Sequence, residues 1–313
     1  MEQAPQQSRP AISIGMPVFN CAGTVAQAIS SILNQTLADW ELLIIDDGST
    51  DNTVEIAASF DDPRIIVTRG GENKRLPTRL NECVNRARGR YFARMDGDDI
   101  AYPGRLKCQL EFLQSHPDVD LVAGWMVAFR GEGAAFSLRR GPLTHELICA
   151  RTWKGITMAH PTWMGKVEWF CRNQYRPDAV LMEDRELLFR TYRNSKFASV
   201  PEIVLGYREN SLSLSKILIA RKFICKALIR DAREQRRFAG AAVGVIGQAT
   251  VALLETIAIC TGLNYHLLRH RVEAMDQQQE REWRSVWEQV MATADRLLAD
   301  HECLPDISQG TAI

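Results

Sequence analysis

The sequence predicts an α/β domain, a mostly parallel sheet flanked by helices, with a helical region appended at its C-terminus. Three observations carry that expectation. Strand-like and helix-like segments alternate from residue 11 to about 130. Clusters of aspartate and glutamate follow several of the strand-like runs. Beyond about residue 213 the pattern changes to long basic, apolar and charged stretches with no strand-like punctuation.

The elements can be justified in order. "AISIGMPVF", "WELLIID", "RIIVT" and "RYFARM" read as strands, and "TVAQAISSIL", "TVEIAASF" and "LPTRLNECVNRA" as the helices between them. A βαβ series of this kind gives a parallel sheet with helices on both faces. Gly89, after Arg86 and Arg88, closes the third helix. "PGRLKCQLEFLQSH" opens a further helix on Pro103, a residue favoured in the first turn, and the strand-like "DLVAGWMVAF" follows. From 131 onwards "GEGAAFSLRRGP" reads as a turn region and "MEDRELLFRTYR" as a helix start. The expected division is a domain over 11–213 and a helical region over 214–313.

Composition narrows the class. The chain has 313 residues, 46% hydrophobic and 24% charged, enough for one substantial core. Lys plus Arg equals Asp plus Glu at 38 each, so overall charge gives no case for nucleic acid as a partner. The opening "MEQAPQQSRP" lacks a basic flank followed by an apolar core, and a cytoplasmic protein is expected. Eight cysteines without a C-x-x-C pair argue against a zinc site and against a disulfide framework.

In a parallel α/β sheet, ligands bind outside the carboxyl ends of the strands, and there the acids collect. "IIDDGSTD" supplies Asp46 and Asp47, "RMDGDD" supplies Asp96, Asp98 and Asp99, and "MEDRE" supplies Glu183 and Asp184. So much negative charge on one rim repels itself without a cation. Asp96 and Asp98, one residue apart around Gly97, suit a hard divalent metal that leaves positions open for phosphate oxygens. The competing reading is that Asp98 or Asp99 caps the helix that follows. Asp46 or Asp47 can accept a hydrogen bond from a base N–H or a ribose hydroxyl, while Ser49, Thr50 or Asp51 suits a helix cap. "MEDRE" is also an acidic first helical turn.

Four stretches together, "ISIGMPVFN", "SSILNQTLADWELLIIDDGSTDNT", "LNECVNRARGRYFARMDGDDIAYPGRL" and "MEDRELLFR", resemble the successive motifs of family 2 inverting glycosyltransferases with the GT-A fold. The resemblance runs from about 11 to 213. It implies that Pro17, Val18, Asn20 and Asp47 line a nucleoside pocket, with Arg79 facing the nucleotide. It implies that Asp96 lies near the ribose and that Asp98 binds Mn2+ or Mg2+ on the diphosphate, as a D-x-D element with Asp99 close by. Asp184 would be the general base, with Glu183 beside it; His160 and Trp163 in "MAHPTWMG" would shape an acceptor pocket, and Arg208 in "GYRENSLSLS" would pair with diphosphate. The sequence departs from the family's pattern at Cys21 and in "GENKRLPTRLN".

The activity implied is transfer from a nucleotide-sugar, most often a UDP-sugar, to a glycan or lipid-linked acceptor in surface polysaccharide or lipopolysaccharide synthesis. Two other classes stay open, a nucleotidyltransferase and a non-catalytic nucleotide-sugar binding protein. The first would carry a glycine-rich basic loop after the first strand, which "MPVFNCAGT" does not resemble.

The C-terminal third lies outside the resemblance. Eight Lys or Arg against two acids fall between Lys216 and Arg237, and residues 239–263 are almost uninterruptedly apolar or small. Gln248 and Glu255 inside that run disfavour simple spanning of a bilayer. Three readings remain: a helix packing on the domain, a homo-oligomer interface, and peripheral contact with the cytoplasmic face of the inner membrane, which the basic residues and "YHLLRHR" would favour.

Overall fold

A computed structural model describes residues 9–152, 155–156, 158–209, 214–235, 238–261 and 273–302. "YHLLRHR" and the junction at 210–213 lie outside the described residues. The N-terminal elements follow the expected alternation: β1 (Ile12–Val18), α1 (Val25–Leu33), β2 (Trp40–Asp46), α2 (Thr53–Ala58), β3 (Ile65–Thr68), α3 (Arg75–Arg86) and β4 (Tyr91–Arg94). β1 pairs in parallel with both β2 and β4, and β2 in parallel with β3. Every residue of β1, β2 and β4 is buried, as strands covered on both faces must be.

The pleat sends alternate side chains into two cores. Ile12, Ile14, Met16 and Val18 of β1 join Leu42 and Ile44 of β2 on one face, where α1 packs through Val25, Ala28, Ile29 and Ile32. Phe92, Ile45, Leu80 and Phe170 build the other. On that second face β1 carries Ser13 and Gly15; a Cβ at Gly15 would stand 2.4 Å from the Phe92 ring, so glycine makes room for the aromatic core.

The second half of the sheet is mixed. After β5 (Ile100–Ala101) and α4 (Arg105–Ser115) come β6 (Leu121–Arg130), β7 (Ala134–Arg139), α5 (His145–Cys149), β8 (Met164–Lys166), α6 (Val167–Arg172), α7 (Glu183–Thr191) and β9 (Phe197–Arg208). The nine strands run β3-β2-β1-β4-β8-β6-β9-β5, with β7 on β6. β8 is antiparallel to both β4 and β6, while β6 and β9 are parallel. The mixed α/β sheet flanked by helices is thus present, with its parallel part confined to β3-β2-β1-β4 and the β6–β9 pair.

One expectation needs correction. "GEGAAFSLRRGP" is a turn only at its start, where Gly131 and Gly133 take positive φ of 51° and 85°; Ala134–Arg139 is a strand paired with β6. Its alanines and serine have weak strand propensity, and pairing with β6 overrides it.

α8 (Leu214–Gln235) and α9 (Phe238–Cys260) pack on each other, but α10 (Gln277–Glu302) returns to the sheet. Trp283, Val286 and Val290 close a third core with Tyr102, Val127 and Phe129. The Trp283 ring lies 4.8 Å from that of Phe129, and its Nε1 donates to Gly133 O at 2.7 Å. Farther along, Thr293 Oγ1 donates to Asn34 Oδ1 at 3.2 Å and Leu297 and Leu298 pack on the first core. Among the described residues, no helix is long and apolar enough to cross a membrane.

Trp283→Ala removes the largest buried side chain of α10 and is expected to cost about 3–5 kcal/mol in urea unfolding. Limited proteolysis should then cut within α10 before the domain is lost. A variant as stable and as protected as the parent would mean that the helix is held elsewhere.

Candidate active site

β1 and β4 lie side by side and parallel, yet their connections leave to opposite sides of the sheet, β1 toward β2 and β4 toward β8. Such a switch point opens a crevice at the carboxyl ends of the strands. The loops after β1 and β4 meet there. A Cβ on Gly97 would stand 2.9 Å from Cys21 Sγ and 3.0 Å from Val18, and Thr24 Oγ1 donates to Gly97 O at 2.9 Å. Glycine at 97 is therefore what lets the "DGDD" turn close on the end of β1.

Asp96, Asp98 and Asp99 each offer a carboxylate oxygen, and these oxygens lie within 4.8 Å of one another. At that spacing each ionised pair repels by about 3 kcal/mol at an effective dielectric of about 20. Burial, and then the charge of Asp96, push Asp98 up to about 6 and Asp99 well above the usual carboxylate range. Asp99 is fully buried; its Oδ1 accepts from Arg208 N at 2.9 Å and its Oδ2 has no hydrogen-bond partner. Clustered oxygens, an unsatisfied one among them, fit a hard divalent cation. Neither Asp98 nor Asp99 caps a helix: α4 starts after Gly104, with no side-chain cap bond.

Arg208 reaches the same turn. Its Nε donates to Asp98 O at 2.8 Å and its Nη2 to Gln27 Oε1 at 2.5 Å, and the guanidinium lies over Phe129 at 4.6 Å. It is a cation fixed beside the acid cluster.

The loop after β2 is tied up more tightly than its sequence suggests. Asp46 accepts from Gly48 N and Ser49 N, at 3.1 and 3.0 Å, and so folds its own turn. Asp47 Oδ1 accepts from Lys74 N at 2.7 Å and Arg79 Nε at 2.8 Å, and its Oδ2 from Arg75 N at 3.0 Å. Asp47 and Arg79 are thus brought together as partners in a buried ion pair. Arg79 also donates to Glu82 Oε2 and Glu72 O, at 2.8 and 2.6 Å. Asn20, at a positive φ of 48°, clips the two loops together: its Oδ1 accepts from Thr50 N at 2.8 Å. Pro17 and Val18 form the end of β1 against Ile45 and Asp46. A cavity of about 570 Å³ opens beside this loop, lined by Asp46, Ser49, Asp51, Glu55, Arg69 and Gly70 among others; the "DGDD" acids do not line it.

The second acid pair stands at the start of α7. Burial pushes Asp184 above the usual range, and burial followed by the charge of Asp184 pushes Glu183 up to about 7. Glu183 Oε2 is buried without a hydrogen-bond partner. His160 is buried, its Nε2 3.0 Å from the Tyr175 hydroxyl, and burial holds its imidazole neutral, well below the ordinary value. Trp163 is 0% exposed in the second core, 4.5 Å from His160 ring to ring. It backs His160 from inside the domain.

Three residues escaped the sequence reading. Arg94, 4% exposed at the end of β4, pairs with Asp96 through Nη2 at 2.5 Å, while its Nε and Nη1 have no hydrogen-bond partner. Its charge favours ionisation of Asp98, Asp99, Glu183 and Asp184 alike, so it acts on both acid clusters. Arg105, also buried, donates through Nη2 to Arg94 O at 2.6 Å and Pro161 O at 3.0 Å, joining the end of β4 to the segment that carries His160. Tyr175 joins His160 to the same group. A charge inside the apolar run "YFARM" was the available signal for Arg94.

The titration of Glu183 gives a test. In the folded protein Glu183 keeps its proton up to about pH 7, whereas the unfolded chain releases it near its ordinary value of 4.5. The folded state binds more protons in that window, so stability falls as pH rises from about 4.5 to about 7 and is level above it. Glu183→Gln removes the slope: it should be more stable than the parent by up to about 3 kcal/mol at about pH 8 and nearly equal at about pH 4.5, in urea unfolding. Parallel pH profiles would show that Glu183 titrates normally.

Comparison with known proteins agrees with this geometry. The sequence model for "Glycosyl transferase family 2" matches residues 13–172, just over half of the chain. EpsE of Bacillus subtilis (strain 168), a glycosyltransferase by name, is 42% identical over 125 residues, 39% of this chain and 45% of its own length. The Escherichia coli UDP-Glc:alpha-D-GlcNAc-diphosphoundecaprenol beta-1,3-glucosyltransferase WfgD is 38% identical over 102 residues, 33% of this chain and 40% of its own. The chain thus spans under half the length of these two relatives. In fold it is similar to residues 1–349 of S. aureus TarS in complex with UDP-GlcNAc, with a TM-score of 0.60 at 15% identity, over 92% of this chain and 83% of that one. The chain belongs to glycosyl transferase family 2 and has the GT-A fold.

Proposed function

We propose that the chain transfers a sugar from a UDP-sugar to a hydroxyl of a glycan or lipid-linked acceptor, with inversion at the anomeric carbon, in the synthesis of a surface polysaccharide. The observation that carries the reading is the pair of acid clusters on which buried Arg94 acts: oxygens clustered for a cation in one, acids of raised pKa in the other. Inverting transfer needs those two functions on opposite sides of the sugar. The name of WfgD, which includes UDP-Glc and a diphosphoundecaprenol acceptor, supports the choice of nucleotide and of a lipid-linked acceptor.

In this reading Asp98 holds Mn2+ or Mg2+, with Asp96 and Asp99 in reach. The ion, when bound, offsets the charge of the departing diphosphate. Arg94 pairs with Asp96 and fixes its orientation. Arg208 adds a fixed positive charge beside the turn. Pro17, Val18, Asn20, Asp47 and Arg79 line the nucleoside side; three bonds occupy Asp47, leaving about one lone-pair site on Oδ2 for a base N–H. Asp184 accepts the proton of the acceptor hydroxyl as that oxygen bonds the anomeric carbon. The bond from that carbon to the diphosphate breaks on the other face, and its electron pair leaves with the diphosphate oxygen. A raised pKa makes Asp184 a stronger base than an exposed aspartate, with His160 as a neutral wall of the acceptor side.

Thermal unfolding with UDP, GDP, dTDP and CDP, each with and without Mn2+, tests the donor site. A ligand at a hundred times its dissociation constant stabilises by about 2.7 kcal/mol. We expect a shift with UDP that requires Mn2+ and is lost in Asp98→Asn. Asp184→Asn should keep that shift while turnover falls about 10²–10⁴-fold. Turnover that survives in Asp184→Asn and disappears in Glu183→Gln would move the base to Glu183, and no shift with any nucleotide would refute the donor site.

A further inference from the structure

Residues 214–260 take no part in the site, yet they carry the largest exposed apolar surface among the described residues. Of the polar side chains on α9, Thr250 and Thr256 bond backbone carbonyls of the helix itself, and Arg221 of α8 bonds the other two, Gln248 and Glu255. Its Nη1 donates to Gln248 Oε1 at 2.7 Å, and its Nε and Nη2 donate to the two Glu255 oxygens at 3.1 and 2.7 Å. The polar groups of α9 are thereby satisfied inside the helical hairpin. Outward it presents Val243, Ile246, Leu253, Leu254 and Ile257, between 49% and 69% exposed. At 100° per residue these fall in one stripe about 100° wide. A cluster of five large aliphatic side chains in water costs free energy unless something covers it.

The neighbouring helix says what that cover is. α8 exposes Lys222, Lys226, Arg230 and Arg233, interleaved with Leu218 and Ile229. No exposed residue of either helix whose side chain is described is an acid. A second copy packed on this face with α8 against α8 and α9 against α9 would bring cation row against cation row. A surface of anionic headgroups over an apolar layer matches both rows at once.

We propose that the α8–α9 hairpin docks the protein on an anionic membrane surface. The aliphatic stripe of α9 enters the boundary of the acyl chains, and the cations of α8 meet the headgroup phosphates. The hairpin lies on the bilayer and does not cross it. This proposal does not depend on the sugar-transfer reading, because vesicle binding is measured without donor or acceptor.

The test is sedimentation of the full chain with vesicles of phosphatidylcholine alone and of phosphatidylcholine mixed with phosphatidylglycerol. We expect binding to the mixed vesicles that weakens with salt. Lys222→Gln and Lys226→Gln should each lower the partition coefficient about fivefold, the equivalent of about 1 kcal/mol per cation. The double variant Ile246→Asp with Leu253→Asp should abolish binding while its thermal unfolding stays that of the parent, since both side chains are exposed. Absence of binding to mixed vesicles, or equal binding to both kinds, would overturn the proposal. So would a dimer in light scattering that the double variant disperses, because the face would then belong to a second copy.

Discussion

Five carboxylates, Asp96, Asp98, Asp99, Glu183 and Asp184, crowd around the end of β4, and buried Arg94 is the positive charge they share. An isolated carboxylate in a poorly hydrated site loses several kcal/mol of hydration, and a neighbouring carboxylate adds repulsion. The guanidiniums of Arg94 and Arg208 oppose this effect at Asp98 without overcoming burial. The result is visible in the raised pKa of four of the acids, while Asp96, in direct contact with Arg94, faces its partner at 2.5 Å. Carboxylate oxygens crowded in this way suit a hard cation.

The frame around this charge is correspondingly stiff. Arg105 gathers the carbonyls of Arg94 and Pro161, and Gln109 Nε2 donates to Thr162 O at 2.7 Å, so α4 fastens the end of β4 to the segment that bears His160. On the other side of the crevice the loops after β1 and β2 are laced by Asn20, Ser49, Thr50 and Thr53. The turn after β2 is stabilised by its own aspartate. Such loops keep side chains in place before a ligand arrives, which lowers the cost of binding.

The C-terminal third divides by the same logic of burial. α10 has one apolar face, and Trp283, Val286 and Val290 find the third core beside β6. α9 packs on α8, and Val243, Ile246, Leu253, Leu254 and Ile257 on its other side stay in water. Charge on α8 then distinguishes an anionic surface from a second protein as the missing partner.

Local patterning was enough to determine the β1–β4 series, the helices between them and the sites of acid clustering, because each follows from the hydrophobic period and turn chemistry of a short window. The position of Asp96 and Asp98 at a strand end was legible for the same reason. Sequence left open whether "DGDD" caps a helix, and "MAHPTWMG" gave no sign that Trp163 is wholly interior. Only the tertiary structure decided that Asp47 and Arg79 engage each other across 32 residues, that Arg94 serves both acid clusters, and that α10 folds back on β6 while α9 does not. These outcomes depend on which groups share a dielectric environment after packing, and that is set by contacts between segments far apart in the chain.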